Sequence, residues 1–184
     1  NHIKLALEKI ALQKWDDAVL KPYVKAIGNS NTERVTSFVQ ACGVYLLAGA
    51  LSNVRKDIRK RFPDFGLNPK DYMAVNLAIP VADAEQPEVN ALYQKVLFNA
   101  WSIADKMAGY PKIDHTEVEK IISQVEIDLN PDLNEACFLY PEVSANVQGF
   151  VRSRVSKEGI YLFSDTGAGS VDQSVFIYFK NDGV

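Results

Sequence analysis

A chain of 184 residues with 47% hydrophobic and 23% charged residues is long enough to bury a core as one domain or slightly more, and this composition excludes a disordered chain. The net charge of −3 gives no general attraction to nucleic-acid phosphates, which calls for a basic face, so nucleic acid is not an expected partner. The two cysteines, Cys42 and Cys137, sit on apolar segments as unpaired buried thiols do, which predicts a reducing, cytoplasmic setting, and the start at Asn1 and end at Asp182-Gly-Val read as those of a piece of a larger protein.

In chain order, Ile3 to Ile27 is expected to be helical and broken near Pro22, because proline disfavours helix in the residue before it. A turn at Asn29-Ser-Asn-Thr32 follows, with Thr32 as the cap of a helix running to about Arg61 and ended by Pro63 and Gly66. Val35, Phe38, Val39, Cys42, Leu46 and Gly49 take the three-and-four spacing of one buried face. The apolar run Phe38 to Leu51 falls short of the ~20 residues of a membrane span and predicts a core helix, with no membrane partner. The basic cluster Arg55-Lys-Asp-Ile-Arg-Lys-Arg61 is expected to be a solvated helix end opposing the dipole.

Tyr72 to Val81 reads as a buried strand, and Pro87 opens a helix whose inner face is Val89, Leu92, Tyr93, Val96, Ala100, Ala104 and Met107, ended by Gly109 and Pro111. Asp114 and Glu117 predict a capped shorter helix to about Val125. A strand at 135–140, a helix at 141–152, and strands at 160–165 and 172–179 complete the pattern. Alternation of this kind predicts an α/β domain, a mixed sheet with packed helices and a helix-rich N-terminal half. The polar stretch Ser153 to Glu158 is the candidate hinge, dividing residues 1–158 from 159–184.

The last two strands flank the segment with the most chemical specificity, Asp165-Thr-Gly167-Ala-Gly169-Ser170-Val-Asp172. Glycines 167 and 169 permit positive φ and close approach of backbone N–H groups to an anion. Asp165 and Asp172 offer carboxylates to a hydrated Mg²⁺, which takes one or two of them and keeps several waters, and Ser170 adds a hydroxyl. On its own composition the same segment is equally a β-hairpin with a Gly/Ser/Asp turn.

This segment resembles the second phosphate motif of the actin, sugar kinase and heat-shock chaperone ATPase superfamily, Asp-x-Gly-x-Gly-Thr-x-Asp followed by a strand. Phe138-Leu-Tyr-Pro141-Glu142-Val-Ser-Ala145-Asn-Val-Gln-Gly149-Phe resembles the strand and small-residue helix that precede that motif in the chaperones. Ala168 stands where chaperones have a third glycine, Ser170 replaces threonine, and Pro141 precedes Glu142 where the family has the reverse order. The resemblance covers residues 138 to 179. It implies a partial ribonuclease-H-like lobe over 1–158, with the hairpin of 159–184 opening a second lobe.

By the same resemblance the cofactors are ATP and magnesium, not expected to bind strongly to this piece of the fold. Asp165 faces the metal or its waters, Asp172 supports the cation, Gly167, Ala168, Gly169 and Ser170 hold phosphate, and Glu142 is the candidate water-positioning carboxylate. No first phosphate turn and no adenosine-binding glycine pair occurs in the sequence, so the chain is expected to be part of an ATPase and inactive by itself. A scaffold or protein-interaction module that keeps the fold without the chemistry is the alternative, and a sugar or metabolite kinase a third. An unpaired hairpin edge makes a dimer a further expectation.

Other chemistry finds no foothold. His2 and His115 make no zinc spacing with the cysteines; Ala168 to Asp172 is not Gly-x-Ser-x-Gly, and no Gly-Lys-Ser/Thr loop exists. Trp15 and Trp101 are expected on helices as packing residues, and Glu117, Glu119, Glu126 and Asp128 as a solvated helix face.

Overall fold

A computed structural model describes residues 2–28, 30–68, 70–79, 86–104, 119–120, 133–152, 156–166 and 171–179, without the side chains of 133, 134, 143, 145, 146, 165, 166, 171 and 172. The fold is mixed α/β and dominated by helix. Two compact units divide the chain, Asn1–Leu77 with Gln86–Leu139, and Ala78–Glu85 with Tyr140–Val184. The boundary suggested at 158 falls within the second of these.

The first unit begins with α1 (Ile3–Ala11), which buries Ala6, Leu7 and Ile10. Contrary to the single helix expected up to Pro22, the chain leaves helix at Leu12, and Gln13 takes φ 55°. Asp17 then starts a short 3₁₀ turn, Ala18–Leu20, its Oδ1 accepting from Val19 N at 2.9 Å. Pro22 does not break a helix but sits in the first turn of α2 (Lys21–Ile27), where a missing N–H costs nothing. Gly28, at φ 61°, closes α2 in the left-handed conformation. Trp15 therefore lies in the turn before the 3₁₀ segment and not on a helix.

The long helix α3 (Thr32–Arg61) ends where expected, but its cap is Asn31, whose Oδ1 accepts from Arg34 N at 3.1 Å; Thr32 is the first helical residue. Its buried side follows Val35, Val39, Gly43, Leu51 and Arg55, with Val44, Ala48 and Ser52 beside them. Leu46 is exposed, and a Cβ on Gly49 would meet nothing within 4 Å. The face expected from spacing thus drifts off the covered side in its last turns. Gly43 marks the true contact, because a Cβ there would lie 3.2 Å from Leu7 Cδ1 and 3.4 Å from Val96 Cγ1. By length and composition α3 meets the requirements of a membrane span, with a mean hydropathy of 1.5 over 18 residues, yet half of that window is buried within the fold.

Arg55 corrects the picture of a uniformly solvated basic end. It is only 7% exposed, its guanidinium lies 4.0 Å over the Trp101 ring, and Nη2 donates to the Trp101 carbonyl at 3.2 Å. The planar cation keeps a hydrogen bond and a π-face while leaving water. Arg59, Lys60 and Arg61 do occupy the last turn, where they oppose the dipole.

Strand β1 (Val75–Ile79) pairs in parallel with β2 (Cys137–Pro141). Between them α4 (Pro87–Ile103) starts at Pro87 as expected and buries Val89, Tyr93, Val96, Leu97, Ala100 and Ile103; Tyr93 Oη donates to Lys4 O at 2.9 Å, tying α4 to α1. Leu92 is only half-buried, and Met107, Gly109 and Pro111 lie outside the described residues. Of the helix expected at 114–125, only Glu119 and Lys120 are described, and both are helical. Short α5 (Leu133–Ala136) leads into β2. Leu97, Ala136 and Cys137 form a core cluster covered by Leu47, Val75, Leu77, Phe98, Trp101 and Leu139.

In the second unit α6 (Glu142–Val151) follows β2 without a loop, and the antiparallel pair β3 (Gly159–Thr166) and β4 (Val171–Tyr178) forms a separate sheet. Among the described residues the strands therefore make two two-stranded sheets where one mixed sheet was expected. Phe150 of α6 meets Tyr161 edge-on at 4.7 Å and Phe176 at 6.3 Å, while Tyr161 and Phe176 stack at 5.6 Å across the strands. In the expected hinge, Ser156 is buried and its Oγ donates to Val151 O at 3.1 Å.

Candidate functional site: the β3–β4 turn

Alternation fixes the hairpin. Ile160 and Leu162 of β3 stand opposite Ile177 and Val175 of β4, while Tyr161 and Phe163 stand opposite Phe176 and Ser174. β-Branched and aromatic residues at period two suit a pleated, half-buried surface. The first set is exposed and the second is turned to the Phe150 side, so one face is covered by α6 and the other is open.

The register continues to the turn, where Asp165 pairs with Asp172 and Thr166 with Val171. The two aspartates thus hold directly opposed positions in the same alternation as Tyr161–Phe176 and Phe163–Ser174. Directly opposed positions place Cβ atoms ~4.5–5.5 Å apart, and like charges there destabilise the pair unless something offsets them. A divalent cation is one offset available to opposed carboxylates in general, since hard cations take carboxylate oxygen and water.

Gly167, Ala168, Gly169 and Ser170, the expected phosphate cradle, lie outside the described residues, as do the side chains of Asp165 and Asp172. What the fold brings together is the backbone of the two aspartates, opposed one pair before the hairpin arms end at Thr166 and Val171. Glu142 is the first residue of α6, half-buried and preceded by Pro141 in an extended conformation (φ −57°, ψ 137°). A carboxylate in a helix's first turn is favoured by the dipole, which accounts for Glu142 without any catalytic role.

Sequence reading passed over Ser174. Its Oγ is buried without a hydrogen-bond partner among the described residues, two positions beyond Asp172 and on the same alternation. Buried hydroxyls are ordinarily satisfied, and this one stands next in the alternation to two aspartates whose side chains are not described. The period of two that places Asp172 would have placed Ser174 beside it.

Elsewhere burial is the main cause of the pKa shifts resolved among the described residues. Burial pushes the Cys137 thiol up to about 11, against a smaller lowering by Arg55, and burial also raises Cys42 and Tyr23. Such thiols are poor nucleophiles. Glu119 departs from the solvated face expected of it: Arg34 Nη1 lies 3.6 Å from its Oε2, and its Oε1 is buried. Glu117, Glu126, Asp128 and His115 lie outside the described residues, among which no group of three or more metal-ligating side chains occurs. Comparison of the chain with known protein families, with characterised proteins and with solved structures gives no match.

Proposed function

We propose that this chain contributes one phosphate-binding turn to a nucleotide-binding ATPase of the actin and heat-shock chaperone type. The observation that carries the reading is the register that sets Asp165 opposite Asp172, one pair before the strands give way to the segment Gly167-Ala-Gly-Ser170 that links them in sequence. Backbone N–H groups of that turn hold phosphate oxygens, and the paired carboxylates hold a hydrated Mg²⁺ that bridges to them. Phosphoryl transfer is mostly positioning and charge stabilisation, and it needs groups on both sides of the nucleotide. With one phosphate turn in this sequence, binding is the readout and turnover is not.

Titration with Mg-ATP tests it. Saturable binding is expected, weakened roughly tenfold or more by Asp165→Ala, while the thermal stability of the ligand-free protein is unchanged or slightly higher because a like-charge pair is gone. Absence of saturable binding at any workable concentration would sink the reading.

A second reading, a protein-interaction module, draws on a different observation. The open face of the hairpin exposes Ile160, Leu162, Val175 and Ile177 together, a larger apolar surface than scattered single residues make. It is favoured if Mg-ATP does not bind.

A further inference from the structure

Where α3 ends, the chain passes through a closed turn at 62–72 before it reaches β1. Phe65 N donates to Phe62 O at 3.0 Å and Leu67 N to Asp64 O at 3.1 Å. The Asp71 carboxylate fastens the turn from its far side, Oδ2 accepting from Gly66 N at 2.8 Å and from Asn68 N at 3.3 Å. Leu67 stands between those two donors, on a backbone held by hydrogen bonds rather than on a loose loop.

This turn leaves large apolar side chains in water. Leu67 is 80% exposed, Phe62 61% and Tyr72 59%. Single exposed apolar residues are ordinary, but three within one closed turn call for a reason. Exposed cations flank them: Lys56, Arg59, Lys60 and Arg61 on the end of α3, and Lys70 in the turn itself. Three exposed carboxylates, Asp57, Asp64 and Asp71, stand against these five, which leaves a positive excess here in a chain whose net charge is −3. Opposition to the helix dipole accounts for the cations of the last turn of α3. It does not account for the apolar side chains beside them.

We propose that this end of α3 and the turn after it dock the protein on an anionic lipid surface, independently of the β3–β4 turn. Phe62, Leu67 and Tyr72 enter the boundary between headgroups and acyl chains, while Lys60, Arg61 and Lys70 lay their stems along it and hold their charges at the headgroup phosphates and carboxylates. Protruding side chains suit a soft surface that closes round them, whereas a peptide partner would have to bring packed pockets of its own. The expectation of no membrane partner came from the span length of α3, and a turn that lies on a membrane needs no span.

Co-sedimentation of the chain with extruded vesicles tests the assignment. Binding is expected to phosphatidylcholine vesicles in which roughly one lipid in four is phosphatidylserine, weakened by added salt and roughly tenfold or more weaker with phosphatidylcholine alone. Leu67→Ser and the double reversal Lys60→Glu/Arg61→Glu should each weaken it roughly tenfold or more. Lys25→Glu should leave it unchanged, because α2 packs near the other end of α3, where Tyr23 meets Phe38. All four residues are exposed, and circular dichroism checks that each variant folds. No binding to the serine-lipid vesicles, equal binding to both lipid compositions, or variants that bind as the parent does would each overturn the proposal. Retention on a polyglutamate resin without vesicle binding would overturn it too, and would give the patch to an acidic peptide.

Discussion

The helical unit and the hairpin use apolar residues in opposite ways. In the first, Val39, Val44, Val89, Leu97 and Ile103 are wholly buried, because α1, α3 and α4 each present an apolar stripe and find one another. In the second, Ile160, Leu162, Val175 and Ile177 are 74%, 67%, 69% and 57% exposed. A two-stranded sheet has two faces, and α6 covers one. Two strands need a hydrophobic face packed on something to be stable, and here the Phe150–Tyr161–Phe176 contacts supply it. The open face thus leaves its apolar side chains in water, whereas the helical core is committed to stability.

The sharpest way to break that contrast is to truncate one residue from each side. Leu97→Ala should cost about 2–5 kcal/mol in denaturant unfolding, through lost transfer energy and a cavity, while Leu162→Ala should stay within about 0.5 kcal/mol. Equal costs would mean that the hairpin face is packed in solution.

A smaller effect follows from Cys137 in the helical unit. Its thiol titrates at about 11 in the fold against an ordinary 9.0, so above the ordinary value the unfolded chain loses its proton first. Stability from the buried neutral thiol is complete below about pH 9 and is lost as pH rises toward 11, a fall of up to about 2–3 kcal/mol by linkage. Cys137→Ala should flatten that part of the stability-against-pH curve, and an unchanged slope would assign the alkaline loss to other groups.

Smallest is a pair of glycine changes within α3. Gly49→Ala should stabilise the protein by about 0.5–1 kcal/mol, since nothing lies within 4 Å of the added Cβ and helical glycine is costly. Gly43→Ala should forfeit that gain to crowding against Leu7 and Val96. A gain at 43 matching that at 49 would show the α1–α3–α4 contact to be looser than its distances imply.

Much of the candidate site was legible in the sequence because a hairpin is built from local signals. Period-two alternation placed β3 and β4 to within a residue or so, and the glycines between Asp165 and Asp172 placed the turn. The step from this turn to a nucleotide came from resemblance and from the opposed carboxylates. Glu142 was found in the sequence by its neighbours, and its position as the first residue of α6 gives it an ordinary role as well.

By itself the sequence determined the long helix ending at Arg61, the start of α4 at Pro87 and the β2–α6–hairpin succession. These depend on residues within a few positions of one another, and caps, prolines and periodicity act at that range. Tertiary structure alone decided that Gly43 rather than Gly49 meets a neighbour, that Arg55 is buried under Trp101 from far along the chain, and that Trp15 borders a cavity. An apolar helix offers several faces of similar hydrophobicity, and the one that is covered is chosen by whichever distant elements pack against it.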